Sequence, residues 1–134
     1  MAANISPIFT LTPVIGITSI STANPGRDGT GILGTVLTGG ADGTRINRIV
    51  VQARGPTTAG MIRLYIGDNA GIPNIFMWRE VIVTAIVASA TVAAFISIIN
   101  LTGESALVLP NGFTLRASTV ISEAFNVFAE GGNY

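Results

Sequence analysis

The sequence predicts an all-β protein, a jelly-roll-like antiparallel β-sandwich of about eight strands with an extended N-terminal arm. Short segments alternate apolar and polar residues with a period of two, and glycine-rich turns separate them roughly every ten residues. No segment of useful length has a helical period. A chain of 134 residues is long enough to bury a core of its own. We therefore expect a single domain over residues 1–134.

The segment 44–66 has the clearest alternation, and we expect it to organise the sheet around it. Its alternate positions are aliphatic on both sides of a break at 55–60: Ile49, Val51, Ala53, Ile62, Leu64 and Ile66. The break holds two glycines, a proline and two threonines, which are typical of a loop between antiparallel strands. The segment therefore predicts a hairpin with an aliphatic face and an arginine-bearing face, packed against a second sheet.

Residues 1–21 are predicted to be an extended arm or an edge strand. Pro7 and Pro13 cannot donate to a strand ladder, so a central strand is excluded. An arm of this kind could pack on a neighbouring subunit, and an edge strand would stay within its own sheet. The first residues lack the basic start and leucine-rich run of a signal peptide, so we expect synthesis in the cytoplasm. Residues 22–31 predict a loop, and 32–38 a short strand.

The segment 81–101 carries no charge over 21 residues, which meets the length criterion for a membrane-spanning helix. Eleven of these residues are Val, Ile or Thr, which favour strands. Small residues at 88–90 suit a turn. We therefore predict two buried strands, 81–87 and 91–101, after a strand at 75–83, and no membrane span.

The C-terminal third predicts a hairpin and a last strand. Asn111-Gly112 is a strong hairpin signal between strands at 107–110 and 113–118. The segment 120–129 alternates again and predicts the last strand. The residues after it, 130–134, are rich in glycine and predict a flexible tail.

The composition argues against catalysis and against cofactors. The chain contains no cysteine and no histidine, so thiolate metal sites and the usual nucleophile and base pairs are excluded. Glu80 and Glu123 are the only carboxylates on predicted strands, and nothing in the pattern sets them at a working separation. We therefore predict that the protein is not an enzyme and that it binds no metal and no cofactor.

The charge balance points instead to a protein interface. Only 10% of residues are charged, against about 25% in an average protein. The net charge is zero, which argues against nucleic acid and anionic membranes as partners. All seven cations are arginine, which suits interfaces. We expect subunit contacts through the arm, the arginine face and the lone tryptophan: Ile8, Phe9, Leu11, Arg48, Arg54, Arg63, Tyr65 and Trp78. A carbohydrate-binding module is an alternative, although Trp78 is the only tryptophan.

Several segments resemble small virion structural proteins of tailed bacteriophages. They include Arg27-Asp28-Gly29-Thr30-Gly31, Arg45-Ile46-x-Arg48-Ile49, Thr57-Thr58-Ala59-Gly60-Met61-x-Arg63-Leu64, and Arg116-Ala117-Ser118-Thr119 followed by Phe125-Asn126-Val127 and Gly131-Gly132. Similarity to capsid decoration (cement) proteins implies a homo-oligomer, a trimer, on the capsid surface of the virion. It implies the major capsid protein as partner and carries no catalytic residues. A tail-tube or tail-fibre subunit is the alternative within this class.

Overall fold

The chain folds as two stacked antiparallel sheets, and the prediction of an all-β sandwich is confirmed. The computed structural model describes residues 9–68 and 74–134. In these ranges the strands are β1 Thr12–Ile20, β2 Gly34–Thr38, β3 Thr44–Ala53, β4 Gly60–Gly67, β5 Ile75–Val83, β6 Ile96–Asn100, β7 Leu107–Leu109, β8 Thr114–Thr119 and β9 Phe125–Asn133. The only helical element among them is the 3-10 turn Gly103–Ser105.

The strand order is that of a jelly roll. The first sheet has the order β1-β9-β3-β6, with the short β7 also paired to β3, and the second sheet has the order β2-β8-β4-β5. Every pairing between these strands is antiparallel. Successive strands pass from one sheet to the other, except from β4 to β5 and from β6 to β7. This winding covers the inner face of each sheet with the other sheet.

The core lies between the two sheets and uses the predicted aliphatic positions. Ile49 and Val51 from β3 face Ile62 and Leu64 from β4, and all four are fully buried. Burial of each such side chain contributes about 1.5–3 kcal/mol. The second large contribution to the core comes from β9, through Phe125, Val127 and Ala129.

The predicted hairpin at 44–66 is wrong in its pairing, although both strands exist. β3 lies in the first sheet between β9 and β6, and β4 lies in the second sheet between β8 and β5. Both strands have partners on both sides, so neither has a free edge for the other. The loop at 55–60 crosses between the sheets, where the Thr57 hydroxyl donates to the carbonyl of Thr84 at 2.7 Å and its backbone pairs with Ile86.

The predicted hairpin around Asn111-Gly112 is wrong for the same reason. The turn exists, because the backbone N–H of Phe113 donates to the carbonyl of Pro110 at 3.1 Å and Gly112 has a φ of 80°. However, β7 pairs with β3 in the first sheet, and β8 pairs with β2 and β4 in the second. The turn therefore connects the two sheets.

The apolar segment 81–101 contains less strand than predicted. β5 ends at Val83 and β6 begins at Ile96, so the predicted strands 81–87 and 91–101 have the wrong bounds. The connection 84–95 is irregular, and the Ser89 hydroxyl accepts the backbone N–H groups of Thr91 and Val92 within it. None of the helical structure in the described residues is long and apolar enough to cross a membrane.

The two ends of the chain pair with each other. β1 is an edge strand that pairs with β9 along its whole length, so the edge-strand alternative holds for Thr12–Ile20. The predicted flexible tail is wrong, because β9 continues to Asn133. A Cβ at Gly131 would collide with the carbonyl oxygen of Arg45, so this glycine permits close packing of backbones.

Candidate interaction surface

The outer face of the first sheet carries a row of apolar side chains that crosses four strands. The register pairs Ile17 with Phe128, Phe128 with Val50, and Val50 with Ile98. Residues directly opposite each other on neighbouring strands point to the same face. We call these four residues the apolar row. It runs from the edge strand β1 to the edge strand β6.

The apolar row is open to solvent at both ends. The exposed fraction is 59% for Ile17 and 50% for Ile98, while Val50 and Phe128 in the middle are half-buried by their neighbours. Among the described strands, no pairing continues the sheet beyond β1 or β6 at this row. An apolar stripe in the centre of an open sheet face is unusual for a solvent-facing surface.

One flank of the apolar row contains an ion pair. The register aligns Ile15, Glu130, Arg48 and Asn100 in a row across the same four strands. Arg48 donates through Nε to a carboxylate oxygen of Glu130. This hydrogen bond lowers the pKa of Glu130 below 4.5 and raises the pKa of Arg48. The pair leaves this flank with no net charge.

The other flank is neutral and hydrogen-bonded. The register aligns Ser19, Asn126, Gln52 and Ile96. The Ser19 hydroxyl donates to Oδ1 of Asn126 at 2.6 Å. The outer face therefore consists of one apolar row between two polar rows, each of which ends on an isoleucine: Ile15 at β1 and Ile96 at β6.

The outer face of the second sheet is covered by the loop 22–31. Arg63 on β4 is only 5% exposed, and its Nη1 donates to the carbonyls of Pro25 and Gly26 at 3.0 and 3.1 Å. The hydroxyl of Tyr65, two residues along the same strand, donates to the carbonyl of Gly26 at 2.9 Å. Glu80 on β5 accepts from Arg63 Nε at 3.0 Å and from Arg27 Nε at 2.9 Å. The loop therefore docks on the sheet through its backbone carbonyls.

Asn24 holds the loop in shape. Its Oδ1 accepts the backbone N–H of Gly26 at 3.0 Å, and its Nδ2 donates to the carbonyls of Thr30 and Ile32 at 2.9 and 3.0 Å. Its backbone N–H donates to the carbonyl of Thr119 at 2.7 Å, which ties the loop to β8. The predicted loop at 22–31 is therefore a hydrogen-bonded segment that packs on the outer face of the second sheet.

The carboxylates of Glu80 and Asp28, where the loop 22–31 packs on the second sheet, have pKa values below their ordinary values. The hydrogen bond from Arg63 is the largest cause of the lowered pKa of Glu80, and Arg27 adds to it. Asp28 accepts from the backbone N–H and the hydroxyl of Thr30, and these bonds lower its pKa. Both groups therefore stabilise the loop in their charged form.

The structure separates the predicted interface residues into two groups. Phe9, Leu11, Arg48 and Arg54 are exposed, with 77% and 82% exposure for Phe9 and Leu11. Phe9 lines a groove with Thr10, Arg45 and Asn47. Ile8 lies outside the described residues.

Arg63 and Tyr65, which the sequence predicts as interface residues, are both buried beneath the loop 22–31 of the same subunit. Trp78 is half-buried against the core, and the Arg79 guanidinium stacks 4.8 Å from the centre of its ring. These three residues are used within the subunit, so the predicted arginine face is divided between two sheets.

Sequence reasoning missed most of the apolar row. Val50 alternates with the aliphatic positions of β3 and lies on the side of Arg48 and Gln52. Phe128 lies on the side of β9 that carries Asn126 and Glu130, so each is the apolar exception on a polar side. A signal was therefore present in each strand, but only the register aligns the four exceptions into one row.

No chemical site comparable to this surface occurs in the described part of the chain. Residues 9–68 and 74–134 contain no group of three acidic, histidine or cysteine residues that could hold a metal ion. A cavity of about 400 Å³ at the end of β4 is lined mainly by apolar side chains, among them Phe76, Trp78 and Phe113. No protein-family model matches the chain, and no curated protein matches it.

Proposed function

We propose that the protein is a structural subunit of a large protein assembly, and specifically a decoration (cement) protein of a tailed-phage head shell. The observation that carries this proposal is the exposed apolar row on the outer face of the first sheet. A solvated sheet face normally alternates polar outward residues with apolar inward ones. A row whose outward-facing side chains are all apolar is suited to burial against another protein.

The fold and the sequence resemblance support the same class. Jelly rolls recur in viral capsid domains and in lectins, so the fold alone offers these two classes by analogy. The half-buried Trp78, packed on the core and stacked by Arg79, offers little free aromatic surface to a sugar. The virion class is therefore favoured over the carbohydrate-binding class.

Phe9 and Leu11, among the first described residues, offer a second apolar contact. The backbone N–H of Leu11 donates to the carbonyl of Asn133 at 2.7 Å, so the chain is anchored there while the side chains of Phe9 and Leu11 extend into solvent. An apolar arm beside a rigid sheet suits attachment to neighbouring major capsid subunits. Many such weak contacts on one shell act together through multivalency. The homotrimer remains part of this proposal, by resemblance.

The test is the copy number of the chain in purified virions, measured by quantitative mass spectrometry against the major capsid protein. A copy number comparable to that of the capsid subunit is expected for a cement protein. A few copies or a few dozen would move the protein to the tail tube or the tail fibres. Absence from the particle would overturn the virion proposal.

A second test separates attachment from folding. Removal of residues 1–11 stops before β1, so we expect an intact fold with weaker attachment to the shell. The double substitution Phe9→Ser and Leu11→Ser is the matched control that keeps the chain length. If shells that lack the native protein bind both variants as well as the unaltered chain, the arm has no part in attachment.

A further inference from the structure

We propose that the outer face of the first sheet binds the same face of a second copy of this chain, through a two-fold axis that runs along the strands between β9 and β3. This inference concerns self-association of the chain and does not rest on the proposed function. It follows from the register of the four strands, which makes the face complementary to itself.

The two-fold axis places unlike residues of the apolar row opposite each other. Because the axis lies between β9 and β3, β9 of one copy lies over β3 of the other. In the same way, β1 of one copy lies over β6 of the other. Phe128 of one copy then faces Val50 of the other, and Ile17 faces Ile98. The largest side chain of the row therefore meets the smallest, which lets two sheets stack with strands nearly aligned.

The same operation makes the charges complementary. Glu130 and Arg48 are neighbours on β9 and β3, on one flank of the apolar row. The axis brings Glu130 of each copy over Arg48 of the other. The two ion pairs within the subunits then form one network of four side chains, in which every carboxylate lies next to guanidinium groups of both copies. An interface with one face repeated on both subunits must be self-complementary in this way.

The charge of the face favours a second copy over a charged partner. Arg48 and Glu130 are the only charged residues among the twelve in the three aligned rows, and they cancel each other. These three rows therefore offer no net charge to a basic or an acidic partner, and Arg45 lies in the next row of the same face. On the outer face of the second sheet, the loop 22–31 already lies over Arg63 and Tyr65, while Ile82 at the edge strand β5 stays exposed.

The size of the face predicts a weak dimer. With strands about 4.8 Å apart and same-face rows about 6.8 Å apart, the four-by-three array covers about 400 Å² per copy. Stable complexes bury about 800 Å² per partner. We therefore expect this face to associate pairwise with a dissociation constant in the micromolar to millimolar range.

The experiment is sedimentation equilibrium of the full chain across that concentration range, with charge-reversed variants. Arg48→Glu gives a face with two carboxylates, and Glu130→Arg gives a face with two guanidiniums. Each variant alone is expected to self-associate at least roughly tenfold more weakly than the unaltered chain. Mixed in equal amounts, they are expected to form a heterodimer, because each carboxylate then meets a guanidinium of the other copy.

The mixture distinguishes the interface from a role within the subunit. If the ion pair only stabilises the fold, each variant is weakened alone and mixing restores nothing, which overturns the proposal. The double variant R48E/E130R restores both the intrachain and the interchain pairs and is expected to dimerise like the unaltered chain. It is the folding control, and if a single variant fails to fold, the isoleucine variants below decide between the two roles.

The apolar row is tested with a matched pair of isoleucines. Ile17→Glu places a charge in the row and is expected to abolish dimerisation. Ile82→Glu is the control, because Ile82 is 70% exposed on β5 of the second sheet and lies outside the proposed interface. The proposal is overturned if the chain is monomeric over the whole concentration range, or if both isoleucine variants weaken association equally. It is also overturned if the complex has an odd number of subunits and neither Ile17→Glu nor the charge reversals change it.

Discussion

The outer faces of the two sheets differ in what covers them. On the second sheet, Arg63 and Tyr65 are buried because the loop 22–31 lies over them and accepts their hydrogen bonds. On the first sheet, Ile17 and Ile98 remain in solvent, and no described segment covers them. The loop covers the polar centre of the second face, whereas the centre of the first face is an apolar row with solvent-exposed ends.

The comparison shows how the same residue type takes two roles. Arg48 on β3 and Arg63 on β4 each form an ion pair with a glutamate on the neighbouring strand. The side chain of Arg48 is 46% exposed, and that of Arg63 only 7%. Arg48 is therefore available to another molecule, whereas Arg63 holds the loop to the sheet.

The largest expected difference is between charge reversals of these two arginines. Arg63→Glu would place a carboxylate beside Glu80 and beside the two loop carbonyls, so we expect a loss of about 3–5 kcal/mol in the free energy of unfolding. Arg48→Glu disrupts an exposed pair and is expected to lose about 1 kcal/mol or less. Urea unfolding of both variants, at a concentration where the chain is monomeric, measures this difference. Similar losses for the two would contradict the division into a covered and a bare face.

The next effect concerns a single hydrogen bond of the covered face. Tyr65→Phe removes the hydroxyl that donates to the carbonyl of Gly26 and leaves that carbonyl with one donor fewer, so we expect a loss of about 1–2 kcal/mol. Tyr134→Phe is the matched control on a half-exposed tyrosine at the end of the chain and is expected to be neutral. Thermal unfolding of the two variants provides the comparison. A neutral Tyr65→Phe would mean that the loop is not held by this bond.

The pH dependence of stability separates the two ion pairs. The folded-state pKa values of Glu80 and Glu130 lie below 4.5, so the stability from both pairs is complete above that pH and decreases as the pH falls through the folded values. We expect Glu80→Gln to flatten this acid-side loss more than Glu130→Gln, since Glu80 is less exposed and binds two arginines. Urea midpoints of the three proteins between neutral and acidic pH give the measurement. If the two glutamine variants reduce the loss of stability at acid pH equally, the ion pairs of Glu80 are no stronger than that of Glu130.

The smallest expected effect on stability is on the bare face. Ile17→Thr keeps a β-branched residue on β1 and is expected to change the free energy of unfolding of the monomer by no more than about 0.5 kcal/mol. Ile20→Thr, three residues along the same strand but buried, is the control and is expected to lose about 2 kcal/mol. A large loss in Ile17→Thr would show that the apolar row already stabilises the single subunit.

Much of the strand content could be predicted from local pattern. The alternation over 44–66 correctly identified the aliphatic core positions of β3 and most of those of β4, but not the burial of Arg63 and Tyr65, and 75–83 matched β5. The candidate surface was only partly predictable. Arg48, Phe9 and Leu11, which the sequence predicts as contact residues, are exposed, but the sequence did not predict the apolar row.

The sequence by itself determined the fold class, the aliphatic inward residues of β3 and β4, and the turns at 55–60 and Asn111-Gly112, because these depend on neighbours along the chain. It did not determine which strands pair. Two convincing hairpin signals, at 55–60 and at Asn111-Gly112, connect different sheets, since pairing depends on which edges remain free once the whole sandwich is wound. The tertiary structure alone decided that Arg63 is covered by a loop 37 residues away along the chain, and that Ile17, Phe128, Val50 and Ile98 meet in one row. Register between distant strands is a property of the assembled sheet, and no single strand encodes it.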